Sequence, residues 1–204
     1  MIKKTRAFIC GISGHNLKKS EVSFLKKYKP WGIILFSRNI KSIKQVQKLT
    51  GSIRKIFKNS NYPILIDEEG GRVSRLRKFI DNSIFSAKYF GDLYLKDRKK
   101  FDIYFNVYVK QISYLLRLIG ININTVPVLD LRRNKSHKII GDRSYSNDKK
   151  TLSKIGDISI EKFHENRVGT VIKHLPGHGL AKVDSHYKLP VIDLSLIHIW
   201  RCRR

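Results

Sequence analysis

The sequence has few acidic residues, few cysteines and no long uninterrupted apolar run. Its 204 residues include 16 Asp and Glu against 42 Lys and Arg, and its two cysteines, Cys10 and Cys202, lie near opposite ends. Neither cysteine has a partner at a metal-binding or redox spacing, which fits a reducing compartment. The first apolar run is interrupted by Gly11, so it does not resemble a signal peptide, and no later run could span a bilayer. We therefore expect a cytoplasmic protein without a membrane partner.

The excess of positive charge raises one alternative, a basic non-catalytic module that binds nucleic acid or anionic glycans. The formal net charge is +26 at pH 7. The lysines, however, are spread along the whole chain and are not gathered into one patch with interleaved aromatic residues. A solvated basic surface is therefore favoured over a nucleic-acid interface, and a steep loss of binding with salt would distinguish the two.

Apolar, β-branched segments alternate with longer segments of helical period. Near-continuous apolar runs are typical of buried parallel strands, and they predict strands over residues 6–12, 31–36, 63–66, 121–129 and 170–174. Apolar positions that recur on one helical face predict helices over residues 20–27, 42–57, 92–118 and 148–166. This alternation indicates an α/β fold of parallel βα units.

Each polar cluster of interest follows the C-terminal end of a predicted strand, as in a (β/α)8 barrel or an open doubly wound sheet. The first strand is not followed by a Gly-x-Gly-x-x-Gly sequence, and this absence favours the barrel. A complete (β/α)8 TIM barrel has eight strands and takes ~250 residues. We therefore expect about the first five βα units of such a barrel.

Three consecutive carboxylates and a Gly pair follow the third predicted strand. Asp67 directly follows the strand and is the strongest candidate for binding a polyhydroxylated ligand, since a carboxylate accepts from vicinal hydroxyls. Glu68 and Glu69 are also compatible with a turn stabilised by ion pairs. In a later loop, Arg143 could donate to a sugar hydroxyl or to a carboxylate, although an exposed loop arginine often has no such role.

The segment of residues 173–186 contains three His, one Lys and one Asp on a loop with Gly and Pro. His174, His178, Asp184 and His186 could bind Zn²⁺, but Pro176 rules out the helix that normally presents a His-x-x-x-His pair. Alternatively Asp184 orients His186 for acid/base chemistry, because residues two apart can face each other across a tight loop. For His178, hydrogen bonds to backbone carbonyls are a third interpretation.

Together these segments resemble glycoside hydrolase family 3, and within it the bacterial cytoplasmic β-N-acetylhexosaminidases of cell-wall recycling. They stand in the family's order and at family-like spacing, from about residue 6 to residue 193. The matching segments are residues 33–39, 67–75, 124–130, 141–144 and 173–186, followed by Leu189 and Pro190.

The resemblance implies release of terminal β-linked N-acetylglucosamine from peptidoglycan fragments that carry 1,6-anhydro-N-acetylmuramic acid. It implies His186 as general acid/base, oriented by Asp184, and a substrate-binding set of Asp67, Arg75, Arg143, Lys173 and His174. It implies neither cofactor nor metal, and we expect a full-length monomer that binds carbohydrate and no nucleic acid.

The family's nucleophile, an Asp on a later barrel strand, has no counterpart by motif in the 204 residues. We therefore expect residues 1–194 to be the N-terminal part of a single barrel domain. Residues 195–204 do not resemble the family and are expected to be a non-native tail.

Overall fold

The computed structural model describes residues 5–131, 139–175, 177–181, 183, 187–189 and 191. Five strands form one parallel sheet in which each strand pairs with the next in sequence. The strands are β1 (Arg6–Gly11), β2 (Pro30–Leu35), β3 (Ile64–Ile66), β4 (Ile123–Asn124) and β5 (Gly169–Thr170). The α/β architecture with parallel strands is confirmed. Over the described residues the sheet is open, with β1 and β5 at its edges.

Helices connect consecutive strands. They are α1 (Lys19–Tyr28), α2 (Ile43–Phe57), α3 (Ala87–Lys96), α4 (Arg98–Leu118) and α5 (Lys149–Glu165). Ser42 and Asp148 were expected inside α2 and α5, but each is the N-cap, where its side chain accepts from a backbone N–H three residues later. The helices predicted over residues 20–27, 42–57 and 148–166 are thus confirmed within one or two residues.

The prediction of a single helix over residues 92–118 is wrong, because Asp97 separates two helices. Its backbone is extended there, with φ −152° and ψ 94°, and its side chain accepts from the N–H of Lys100 at 3.0 Å. Asp is a strong N-cap residue, so it ends α3 and begins α4 although the apolar period runs through it. The first of the two helices begins at Ala87, capped by Ser86.

The predicted fourth strand over residues 121–129 is interrupted in the middle. Regular pairing stops at Asn124 and resumes as one bridge between Val128 and Lys173. Pro127 has no N–H to donate to a neighbouring strand, and the peptide bond before it is cis. The predicted fifth strand, over residues 170–174, is interrupted in the same way. Its regular pairing ends at Thr170, and Lys173 pairs again in the bridge to Val128.

The core lies between the sheet and the helices. Fully buried residues of β2 and β3 pack there against the apolar faces of α2 and α4. The strands contribute Ile33, Leu35, Ile64 and Ile66, and the helices contribute Val46, Ile53, Ile112 and Leu116. On the two edge segments of the sheet, Ile9 and Val171 remain 44% and 39% exposed. Within the described ranges, no helix combines the length and apolar character needed to cross a bilayer.

Asn39 joins the ends of β1 and β2. Its side chain is fully buried, and its amide donates to the carbonyls of Ile12 at 3.0 Å and Gly14 at 2.8 Å. Its Oδ1 accepts from the N–H of Phe36 at 2.9 Å. One side chain thus satisfies three backbone groups of the two strand ends, and the carbonyl of Ile12 also accepts from Arg38 Nε at 2.9 Å.

We expect Asn39→Ala to lower the free energy of unfolding by on the order of 3 kcal/mol, because it leaves buried polar groups unpaired. Denaturant titration measures this change. The matched control is Asn59→Ala, which removes one exposed hydrogen bond to the N–H of Asn61 and is expected to cost less than about 1 kcal/mol. Equal effects of the two substitutions would contradict the role of Asn39.

Candidate active site

The candidate site lies where β3, β4 and β5 end. Asp67 directly follows β3, Thr125 follows β4, and Lys173 lies three residues after β5. Arg143 comes from the short 3-10 turn Gly141–Arg143 in the connection between β4 and α5. The C-terminal ends of parallel strands meet at one edge of a sheet, so residues that are 106 positions apart come into contact here.

Asp67 is the acceptor at the centre of the site. Its Oδ1 accepts from the Lys173 ammonium and from Thr125 Oγ1 at 2.9 Å, and its Oδ2 accepts from Arg75 Nη2 at 2.9 Å. Burial raises the pKa of Asp67, but the charge and hydrogen bond of Lys173, with the bond from Thr125 and the charge of Arg75, lower it to about 2. Asp67 is therefore ionised at neutral pH.

Glu69 pairs with Arg143 and shares Lys173 with Asp67. Arg143 donates from Nε at 2.7 Å and from Nη2 at 2.8 Å to the two carboxylate oxygens, the planar two-point geometry that only arginine provides. Lys173 Nζ lies 2.5 Å from Glu69 Oε1. Burial lowers the pKa of Arg143, but Glu69 outweighs burial and raises it. Glu69 is thus ion-paired, but its partners come from segments 74 and 104 residues further along the chain and not from the turn itself.

Glu68 has a different role, because its partners are uncharged. It is 1% exposed, and its Oε2 accepts from the backbone N–H of Arg75 at 2.6 Å and of Leu76 at 2.9 Å. Asn82 Nδ2 donates to its Oε1 at 2.7 Å. Burial raises the pKa of Glu68 despite these bonds. Glu68 thus fixes the turn that brings Arg75 to Asp67.

His174 rests on a buried carboxylate. Asp130 is 1% exposed, and its Oδ2 lies 2.6 Å from His174 Nδ1 and 3.2 Å from the His174 backbone N. The other oxygen, Oδ1, accepts from the N–H of Gly179 at 2.8 Å. Burial raises the pKa of Asp130, but the hydrogen bonds from His174 and Gly179 outweigh it and lower the pKa. The peptide bond between Lys173 and His174 is cis.

The five residues expected to bind substrate thus lie together. Each is in hydrogen-bond or ion-pair contact with another member of the cluster or with a carboxylate beneath it, and they are Asp67, Arg75, Arg143, Lys173 and His174. The two expected catalytic residues, Asp184 and His186, lie outside the described residues. The resemblance gave no role to Asp130 or Thr125, although Asp130, like Asp67, follows a predicted strand directly.

His174 and His178, two of the residues considered as Zn²⁺ ligands, lie near each other in the described part of the loop. The rings of His174 and His178 are 5.9 Å apart between centroids, and His178 Nδ1 has no hydrogen-bond partner among the described residues. Those residues contain no group of three or more His, Cys, Asp or Glu placed to hold a metal ion.

The described cluster combines acceptors and donors at close range. Two carboxylates, Asp67 and Glu69, pair with the cations Arg75, Arg143 and Lys173, and a third, Asp130, contacts His174. Such a site can hydrogen-bond a neutral ligand that carries several hydroxyl groups.

Comparison with known sequences identifies the family to which the chain belongs. The pattern of the glycosyl hydrolase family 3 N terminal domain matches residues 4–200. The chain belongs to glycoside hydrolase family 3. A family relative named beta-hexosaminidase, from Xanthomonas campestris pv. campestris (strain B100), is 30% identical over 178 residues, which are 87% of this chain and 53% of that protein.

Solved structures of the same family are similar in fold. Native NagZ from Neisseria gonorrhoeae matches with a TM-score of 0.82 and 26% identity, over 97% of this chain and 57% of that chain. The same enzyme in complex with N-trifluoroacetyl-D-glucosamine matches with a TM-score of 0.81 and equal identity and coverage. The chain spans about half the length of these proteins.

The depressed pKa of Asp67 predicts how stability depends on pH. The folded-state pKa of about 2 lies below the ordinary value of 3.8, so the ionised carboxylate stabilises the fold above about pH 4. This stabilisation, about 2 kcal/mol from the size of the shift, is lost as the pH falls towards 2.

We therefore expect Asp67→Asn to lower the free energy of unfolding by about 2 kcal/mol at pH 7 and by progressively less between pH 4 and 2. Denaturant titration at several pH values measures the difference. The control is Asp102→Asn, which removes an exposed pair with Arg98 and is expected to cost less than about 1 kcal/mol. A cost for Asp67→Asn that does not change with pH would contradict the prediction.

Proposed function

We propose that the protein is a β-N-acetylhexosaminidase that hydrolyses terminal, non-reducing β-linked N-acetylglucosamine. The observation that carries the proposal is the cluster of Asp67, Arg75, Arg143, Lys173 and His174 at one end of the sheet in a family 3 chain. The names of the relatives support it, because one is a beta-hexosaminidase and one similar enzyme is solved with a derivative of glucosamine.

The charge balance of the cluster favours a neutral sugar over an anionic ligand. Arg75 and Lys173 pair with Asp67, and Arg143 pairs with Glu69, so each of these cations already has a carboxylate partner. A phosphate or nucleic acid would have to displace these carboxylates, whereas sugar hydroxyls can donate to and accept from groups whose charge is balanced. This supports carbohydrate binding over the basic, non-catalytic module as the function of the site.

The proposed mechanism is retaining and uses a His instead of the usual second carboxylate. An Asp from a later segment of the intact protein attacks the anomeric carbon, and the protonated His186 gives its proton to the departing oxygen. Water, deprotonated by the now neutral His186, then displaces the Asp and releases the sugar. Asp184 holds the His186 ring for both proton transfers.

We further propose that the substrates are peptidoglycan fragments with 1,6-anhydro-N-acetylmuramic acid, and that the enzyme is a cytoplasmic monomer of cell-wall recycling. Residues 1–194 belong to the barrel domain, and residues 195–204 are a non-native tail. The family match extends to residue 200, so the boundary at 194 stays a prediction.

An aryl β-N-acetylglucosaminide assay tests the activity. We expect turnover by the gene product extended to the length of its relatives. We expect none by the 204-residue chain, because no segment in it matches the motif that carries the family's nucleophilic Asp. In the extended protein, His186→Ala is expected to lower kcat by roughly 10²- to 10⁴-fold, the range of general acid/base contributions. No turnover by the extended protein, or turnover that does not depend on His186, would contradict the proposal.

Arg143→Lys tests the sugar site separately from proton transfer. A lysine cannot reproduce the two-point contact with Glu69, so we expect kcat/KM to fall by roughly tenfold or more. The matched control is Arg98→Lys, at an exposed pair on α4, for which kcat/KM is expected to stay unchanged. If the two substitutions have the same effect, Arg143 does not contribute to the site.

A further inference from the structure

We infer that Asp130 is a positioning residue that holds His174 in the tautomer protonated at Nδ1, so that Nε2 is presented to the sugar as a hydrogen-bond acceptor. The part that concerns the sugar rests on the proposed function. The part that concerns the ring rests on the contacts of His174 alone.

The first contact is made by the carboxylate. Asp130 Oδ2 lies 2.6 Å from His174 Nδ1, and the Asp130 side chain has no exposed surface. An ionised carboxylate accepts hydrogen bonds and cannot donate them. The lowered pKa of Asp130 keeps it ionised at neutral pH, so the hydrogen between the two atoms belongs to Nδ1.

The second contact is made from the opposite side of the ring. Arg143 Nη2 lies 3.4 Å from His174 Nε2, and a guanidinium can only donate. The orientation of the Arg143 guanidinium is fixed, because it donates two hydrogen bonds to Glu69. An Nε2 that faced this group with a hydrogen of its own would place two donors against each other. Both neighbours of the ring therefore favour the same neutral tautomer.

The same carboxylate also fixes the chain beyond His174. Its other oxygen accepts from the N–H of Gly179, in the short turn His178–Leu180. A side chain at position 179 would meet the carbonyl oxygen of Leu131 at 2.2 Å, so this close approach requires glycine. Asp130 thus connects the ring and the following turn to the segment that comes after β4.

His174 and Arg143 together offer a ligand one hydrogen-bond acceptor, Nε2, beside one hydrogen-bond donor, the guanidinium. The His174 side chain is 34% exposed, the largest exposed fraction among the paired side chains of the cluster. A hydroxyl that takes the place of the direct Arg143 contact can donate to Nε2 while it accepts from the guanidinium. This pairing selects a hydroxyl, which is both donor and acceptor, over a group that can only accept.

Nitrogen-15 NMR of the imidazoles in the extended protein tests the tautomer without reference to activity. The signals of His174 are those that disappear in His174→Gln. At about pH 8 we expect a protonated Nδ1 whose hydrogen exchanges slowly with water, and an unprotonated Nε2. A proton on Nε2 in the unchanged protein would overturn the inference.

Substitutions of Asp130 test whether it is the acceptor. In Asp130→Ala we expect the slowly exchanging Nδ1 proton to be lost, and in Asp130→Asn, which keeps a neutral acceptor of similar size, we expect it to exchange faster. The matched control is Asp102→Ala, at an exposed position of α4, which should leave the signal unchanged. If Asp130→Ala does not fold, Asp130→Asn decides the question. An unchanged exchange rate in Asp130→Asn would overturn the role of Asp130.

Binding of N-acetylglucosamine tests whether the effect reaches the ligand through His174. We expect Asp130→Asn to raise the Kd for N-acetylglucosamine by roughly tenfold when His174 is present, but by less than about threefold in a His174→Gln background. Equal effects in both backgrounds would show that Asp130 supports the fold without acting through the ring. If the unchanged protein does not bind the sugar, the proposed function fails, while the NMR result still decides the tautomer.

Discussion

The ionised carboxylate of Asp67 connects the ends of three neighbouring strands. Its two oxygens receive the Lys173 ammonium from beyond β5, the Thr125 hydroxyl from beyond β4 and the Arg75 guanidinium from the turn after β3. Regular pairing of β4 and β5 covers only two residues of each strand, and backbone hydrogen bonds such as that from the N–H of Leu129 to the carbonyl of Lys173 at 2.8 Å continue the contact between the two segments. Within this backbone frame, Asp67 and Glu69, which holds Lys173 from the other side, position the charged side chains of the site.

The cluster also explains how a chain of net charge +26 builds a balanced site. Acidic residues are scarce, yet four of the 16 lie here: Asp67, Glu68, Glu69 and Asp130. Three of them compensate or orient positively charged or titratable side chains, and Glu68 shapes the backbone through N–H groups. Most lysines need no such partner, because they lie on the surface in contact with water. Burial, and not the overall charge, thus determines where carboxylates are required.

Sequence patterns predicted the order of strands and helices, because alternating apolar runs directly reflect burial against a parallel sheet. They failed where one polar residue changes the backbone path. Asp97 divides an apolar period that continues from α3 into α4, and Pro127 interrupts the pairing of the strand predicted over residues 121–129. Position and side-chain chemistry indicated Asp67 and Arg143, but the full substrate-binding set came from family resemblance. Asp130 was missed because its role depends on His174, 44 residues away, and this separation cannot be seen in local spacing.

The order of the strands in the sheet has a consequence for folding during synthesis. Each strand pairs with the one made just before it, so the sheet can grow at a single edge as the chain leaves the ribosome. Lys173, however, emerges 106 residues after Asp67. Until then Asp67 and Glu69 lack their shared cation and must stay hydrated, so the nascent β1–β4 sheet relies on its apolar core. The polar cluster is completed last, when the fifth strand arrives.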